Sequence, residues 1–140
     1  MIIVLMLLAA VAGYLWLPRA DVALPLVEGC RLDRQACASP LPGGGRLDIA
    51  LTPRPVPTSA PVRAVVTVAG AQPASVEIGF RGVDMNMGLH RLPLAAVDGR
   101  YVGETILPVC VTGKMTWEAT VALAIGRENI TVPFRFESGH

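Results

Sequence analysis

A short stretch near the middle of the chain places two methionines and a histidine close together. Met85 and Met87 alternate along it, and His90 follows three residues after Met87. Thioether and imidazole groups are ligands that suit a soft monovalent cation such as Cu(I). Methionine side chains also fill gaps in apolar cores. Two interpretations follow: a copper site formed by Met85, Met87 and His90, or methionines that only pack a core.

Three more residues are weaker candidates for the same copper site. Met115 and Trp117 share one face of a predicted strand, so both are expected in the core, although an indole ring can also cover Cu(I) by cation–π contact. An unbridged Cys110 would add a thiolate ligand. With His90 and Asp84 it would also supply the parts of a nucleophilic set. Nothing around Cys110 resembles an activating turn or helix start, so we do not predict an enzyme.

The chain has three cysteines, which in an exported domain indicates one disulfide and one thiol left over. Cys30 and Cys37 enclose a short loop, and its closure would stabilise the fold by roughly 2–3 kcal/mol. The rival pairing of Cys37 with Cys110 would tie the N-terminal loop to the sheet. The spacing does not choose between these pairings.

The N-terminal region 1–18 is almost wholly apolar, and the first charged side chain is Arg19. Its length is near the lower limit of ~17–25 residues for a membrane-spanning helix. No basic segment precedes it, so an uncleaved anchor is favoured over a signal peptide, with Tyr14 and Trp16 at the headgroup level. Arg19 read alone would place the domain inside, but long domains translocate largely regardless of flanking charge. The cysteines therefore favour a periplasmic domain.

The rest of the chain divides into a linker with the cysteine loop at 19–45 and a folded domain at 46–137. Alternation of apolar residues along Leu47–Leu51 and Met115–Ile125 predicts half-buried strands. Six to eight short strands, with turns between them and no amphipathic helix, predict an all-β sandwich of immunoglobulin-like type. The domain is nearly neutral and has no basic patch, which argues against nucleic acid.

Face parity separates the two interpretations of the methionine stretch at Gly82. The apolar residues up to Phe80 are even-numbered, whereas those after Gly82 are odd-numbered and include Met85 and Met87. A bulge or bend at Gly82 would reset the face and place both methionines in the core. A straight strand would expose both sulfurs, and a metal or a partner would then have to explain them.

Two segments, VDMNMG at 83–88 and LPVCVTGKMTW at 107–117, resemble motifs of small membrane-anchored or exported bacterial proteins with one immunoglobulin-like domain. The chain is similar over roughly 45–136 to YtkA-like and FixH-like domains, which are linked to copper or to respiratory oxidase assembly. The resemblance implies an extracytoplasmic β-sandwich with Met85, Met87 and His90 as copper contacts.

These observations predict a single-pass protein of the bacterial inner membrane whose domain faces the periplasm. Its expected role is to bind copper or to assist assembly of a respiratory oxidase. The alternative is a metal-free adaptor that docks a membrane protein complex through its sandwich and its anchor.

Overall fold

The computed structural model describes residues 1–16, 20–86, 88–108 and 114–138. Within these ranges one helix precedes ten strands. In chain order the elements are α1 (Ile2–Leu15), β1 (Ala20–Ala23), β2 (Cys37–Pro40), β3 (Arg46–Thr52), β4 (Pro61–Ala69), β5 (Ser75–Gly82), β6 (Leu89–Pro93), β7 (Ala95–Val97), β8 (Arg100–Ile106), β9 (Met115–Ile125) and β10 (Glu128–Ser138).

The strands of the described ranges form two five-stranded sheets that enclose one apolar core. The first sheet has the order β1-β10-β9-β5-β6 and the second has the order β2-β3-β4-β8-β7. Neighbouring strands are antiparallel, apart from β1, which runs parallel to β10. The prediction of an all-β, sandwich-like domain is confirmed at this level, and its immunoglobulin-like assignment stays a prediction.

The long hairpin of β9 and β10 forms the centre of the first sheet. Burial alternates residue by residue along both strands, as expected where one face of a strand is packed and the other is wet. The predicted inward residues Trp117, Val121 and Phe134 are fully buried, and Met115 is 2% exposed. The alternation was readable in the sequence because both strands are long.

The N-terminal helix differs in length from the predicted anchor over 1–18. α1 has 14 residues, fewer than the ~17–25 that a bilayer crossing takes. In the part of the chain that the structure describes, no helix is both long and apolar enough to span a membrane. None of the residues of α1 is buried.

The region predicted as a linker contributes a strand to each sheet. β1 pairs with the start of β10, and β2 pairs with β3. Leu32 between them is fully buried in the core. The sequence did not reveal these strands because each has four residues, too few for a hydrophobic period to show.

A disulfide joins Cys30 to Cys37, which is one of the two pairings that the spacing left open. Cys37 lies on β2 opposite Ile49 and is almost fully buried. The bond leaves no thiol on Cys37 for the rival pairing with Cys110, which lies outside the described residues.

Candidate functional site

The described candidate residues meet at one end of the sandwich, where β5 and β10 end and β6 and β9 begin. We call this end the distal pole; it carries Gly82, Leu89, Met115 and Ser138. Strand register joins these positions, because Gly82 lies opposite Trp117 and Ser138 lies opposite Met115. The other end, the proximal pole, carries Ala20, Ser75, Ile125 and Glu128.

His90 lies on the edge strand β6, directly opposite Phe80 of β5. Directly opposed residues of an antiparallel pair share a face, and Phe80 is fully buried, so His90 belongs to the inner face of the sheet. Its ring centroid lies 6.2 Å from that of Trp117, with the two rings inclined at 60°. The edge position therefore brings the imidazole beside the core indole.

The Nε2 atom of His90 is buried and has no hydrogen-bond partner among the described residues. A buried polar atom without a partner costs about 1–3 kcal/mol. Such an atom in a native fold calls for an explanation, for example a bound ion or a water molecule. Nε2 is thus a buried side-chain atom at the distal pole that no described residue satisfies.

The indole of Trp117 is fixed by a buried hydrogen bond. Its Nε1–H donates to the hydroxyl of Ser138 at 2.7 Å, and both side chains are almost fully buried. The bond satisfies the indole nitrogen and holds the ring in place beside His90. Trp117 therefore offers its π-face, not its nitrogen, to any group bound there.

The side chain of Met115 and the backbone of Met85 both lie close to Gly82. A side chain built on Gly82 would collide with the methyl group of Met115 and with the carbonyl oxygen of Met85. Met85 is half-buried and packs against the core. The missing side chain of Gly82 therefore leaves space for the methyl group of Met115 and the backbone of Met85, opposite Trp117.

The chain bends after Gly82 instead of continuing as a strand. β5 ends there, and Val83 turns outward to solvent. The turn is held by the Val83 N–H, which donates to the carbonyl of Thr116 at 2.9 Å, and by the Thr116 N–H, which donates to Asp84 Oδ2 at 3.3 Å. Of the two alternatives at Gly82, the structure has the bend. It directs Met85 toward the core, as the packing interpretation predicts for this residue, while Met87 lies outside the described residues.

The structure places four of the candidate ligand or cover residues at the distal pole, namely Met85, His90, Met115 and Trp117. The rings of His90 and Trp117 are neighbours, and Met85 approaches Gly82 through its backbone carbonyl oxygen. Met87 and Cys110 lie outside the described residues. Among the residues that are described, no three His, Cys, Asp or Glu side chains form a group able to hold a metal ion. The candidate ligands at the distal pole are therefore thioethers and an imidazole.

Ser138 was missed by the sequence analysis. Its parity with Phe134 and Phe136 would have placed it on the inward face of the last strand. A serine at that inward position needs a partner, and the indole of Trp117 is the one it finds. The signal that could have identified Ser138 was a polar residue at an inward-facing position of a strand.

Comparison with known proteins adds little to these observations. No family model and no curated protein matches the sequence. The crystal structure of an engineered protein is similar over 66% of this chain, with 17% identity and a TM-score of 0.43. The match spans only 20% of that chain, and so distant a likeness carries no argument about this protein.

Proposed function

We propose that the distal pole binds Cu(I) through Nε2 of His90 and the thioethers of Met85 and Met87. The observation that supports this most is the buried Nε2 without a partner among the described residues. Binding an ion at this atom would remove the cost of about 1–3 kcal/mol that an unpaired buried nitrogen carries. Met87 lies outside the described residues, and it is included as a ligand because it follows Met85 by two residues in the sequence.

The residues around this nitrogen favour Cu(I) over harder cations. Thioethers are soft ligands that select Cu(I), and imidazole also suits copper. All three proposed ligands are neutral, so the bound ion keeps its single positive charge. The ring of Trp117, 6.2 Å from that of His90, is placed to attract such a charge through its π-face. Met115, close to Gly82, supplies a further thioether at the same end.

The proposed setting is the outer face of the bacterial inner membrane, with α1 as the tether. The disulfide between Cys30 and Cys37 favours an oxidising compartment such as the periplasm. The exposed apolar surface of α1 favours contact with lipid. With the resemblance to YtkA-like and FixH-like domains, these features support a copper-handling or respiratory-oxidase assembly module with an immunoglobulin-like sandwich.

A metal-free adaptor is the second candidate, and exposed apolar side chains favour it. Val83, Leu89 and Ile106 are 39%, 53% and 58% exposed around the distal pole. Exposed apolar clusters often mark docking sites for other proteins. In this alternative the methionines serve packing alone, and the protein docks a membrane complex without an ion.

Cu(I) titration of the full chain in detergent, in competition with a chromophoric chelator, tests the proposal. We expect one Cu(I) per chain with micromolar or tighter affinity. The double variant Met85→Leu/Met87→Leu keeps side-chain volume but removes both sulfurs, and should bind far more weakly. Met6→Leu in α1 is the matched control and should bind as the wild type does. Absence of binding, or equal binding by the double variant, would favour the adaptor.

A further inference from the structure

α1 joins the sandwich at the proximal pole, opposite the candidate site. The backbone N–H of Ala20 donates to the carbonyl of Arg127 at 2.9 Å, and Ala20 lies beside Glu128 in the parallel pair of β1 and β10. Residues 16–19 separate α1 from β1, so Leu15 and Ala20 are at most about 18 Å apart. Chain connectivity therefore keeps the end of α1 near the β9–β10 turn.

A direct contact supports this placement of α1. The guanidinium carbon of Arg127, in the β9–β10 turn, lies 3.8 Å from the centroid of the Tyr14 ring near the end of α1. Arginine over an aromatic face is a favourable cation–π geometry. The end of the helix and the tip of the central hairpin thus meet.

The length of β9 gives the distance between this contact and the candidate site. The strand runs from Met115 at the distal pole to Ile125 at the proximal pole. At ~3.4 Å per residue, Met115 lies roughly 34 Å from Ile125, and Trp117 lies roughly 27 Å from it. Met115 and Trp117 therefore lie toward the end of the sandwich opposite α1. His90, which is level with Ala119 of β9, lies roughly 20 Å from the level of Ile125.

The surface of α1 indicates what covers it. The helix is apolar on every side, has no charged side chain and has no buried residue. A helix that is apolar all round belongs in a protein core or in a membrane. Tyr14 and Trp16 stand at the end that leads to the sandwich, and these residue types concentrate at membrane–water interfaces. A lipid bilayer is thus the fitting occupant.

We propose that the sandwich stands upright on a lipid bilayer, with its proximal pole at the headgroups and its distal pole in the aqueous phase. This inference rests on the membrane tether of the proposed function and gives the copper site a direction. His90 then lies roughly 20 Å beyond the headgroups, and Gly82, beside Met85, lies roughly 27 Å beyond them. A copper donor or acceptor must accordingly reach the site from the aqueous side, as a soluble protein or an extended domain.

Energy transfer from tryptophan to lipid tests this orientation, because the chain has two tryptophans, one at each pole. Trp16→Phe leaves Trp117 as the donor, and Trp117→Phe leaves Trp16. Both variants of the full chain are reconstituted into phosphatidylcholine vesicles that carry dansyl-labelled headgroups. We expect Trp16 to lose most of its emission to the dansyl group and Trp117 to lose little.

Strong transfer from Trp117 would overturn the upright orientation, because it would place the distal pole or the side of the sandwich on the lipid. Failure of the wild type to float with the vesicles would overturn the lipid tether as well, and a second protein copy would then cover α1. The Trp16→Phe variant keeps the native core, so a folding defect in Trp117→Phe does not void the test. Copper binding, measured separately by chelator competition, stands or fails independently of both results.

Discussion

Two loops near the distal pole differ sharply in how they are held. The cysteine loop, residues 30–37, is closed by its disulfide and anchored by Leu32, which is fully buried. The Leu32 N–H also donates to the carbonyl of Arg135 at 3.1 Å. The cysteine loop is therefore held by a covalent bond, by apolar packing and by a backbone hydrogen bond.

An ion-pair network fixes the cysteine loop further. Asp33 accepts hydrogen bonds from Arg31 and from the backbone N–H of Glu137, at 2.8 Å and 3.1 Å. Burial of Asp33 acts to raise the pKa of its carboxyl, but the bonds from Arg31 and the Glu137 backbone outweigh it and lower that pKa. The bond to Asp33, opposed by desolvation, raises the pKa of Arg31.

The methionine loop, residues 83–88, is held by hydrogen bonds in its described part. Two backbone donors at Thr116 and Val83 secure its start, and the Gly88 N–H donates to Asn86 Oδ1 at 3.3 Å. Its neighbour His90 keeps a buried nitrogen without a partner among the described residues.

The comparison distinguishes a loop that is fixed by its own contacts from a loop that carries candidate ligands. In the cysteine loop, residues 30–37, no buried side-chain nitrogen or oxygen lacks a hydrogen-bond partner. Beside the methionine loop, the side chain of Met115 and the backbone of Met85 meet at Gly82, and Nε2 of His90 has no hydrogen-bond partner among the described residues. We therefore expect changes in the first loop to alter stability, and changes around the second to alter copper binding.

Removing the disulfide should have the largest effect on stability. Cys30→Ala/Cys37→Ala should lower the free energy of unfolding by about 2–3 kcal/mol, because the unfolded chain regains the entropy of a short open loop. Urea unfolding followed by circular dichroism measures the loss. Cu(I) affinity of the folded variant should stay unchanged. A loss of copper binding with stability intact would reverse the roles assigned to the two loops.

Gly82→Ala should disturb both stability and copper binding. The new methyl group would displace the methyl of Met115 and the backbone at Met85, and such overpacking costs about 1–3 kcal/mol. Chelator competition should show weaker Cu(I) binding. Gly79→Ala on the same strand is the control, because its methyl group meets only the flexible side chain of Leu89. Equal behaviour of the two variants would contradict the importance of the close approach at Gly82.

Asp33→Asn should have the smallest effect and should show it as a change in pH dependence. The folded pKa of Asp33 lies below the unfolded value of ~3.9, so the stabilisation is present above that value and is lost as pH falls through the folded pKa. At neutral pH we expect the variant to be destabilised by no more than about 1 kcal/mol, because Arg31 is partly exposed.

Urea unfolding midpoints measured from neutral pH to below the carboxylate range test this expectation. The wild type should lose stability toward low pH more steeply than Asp33→Asn. Asp98→Asn, in the exposed turn between β7 and β8, controls for the loss of a negative charge in general. Parallel pH profiles of wild type and Asp33→Asn would show that the network does not hold the cysteine loop.

The sequence predicted long strands, whose hydrophobic pattern repeats over many residues. It did not predict short strands or pairings that depend on a single contact. β9 and β10 alternate over eleven residues each, so their inward faces could be read directly. β1 and β2 are set by pairing with distant strands, which leaves no local period. The disulfide remained a choice between pairings, because spacing alone does not give distance.

For the candidate site, too, the sequence predicted the residue types but not the contacts between them. Ligand types at Met85 and His90 are visible in the sequence, and so is the parity change at Gly82. The direction of the bend depends on the contact of Gly82 with Met85 and Met115. The buried bond of Trp117 to Ser138 joins residues far apart in the sequence. Such three-dimensional contacts have no counterpart in a linear pattern.

X-ray absorption of the Cu(I)-loaded full chain tests the central claim most directly. We expect a copper shell of sulfur scatterers with one imidazole nitrogen, since the proposed ligands are thioethers and His90 Nε2. In His90→Ala the nitrogen contribution should disappear while the sulfur contribution remains. A shell of nitrogen and oxygen alone, or a spectrum that His90→Ala leaves unchanged, would contradict a copper site at the distal pole.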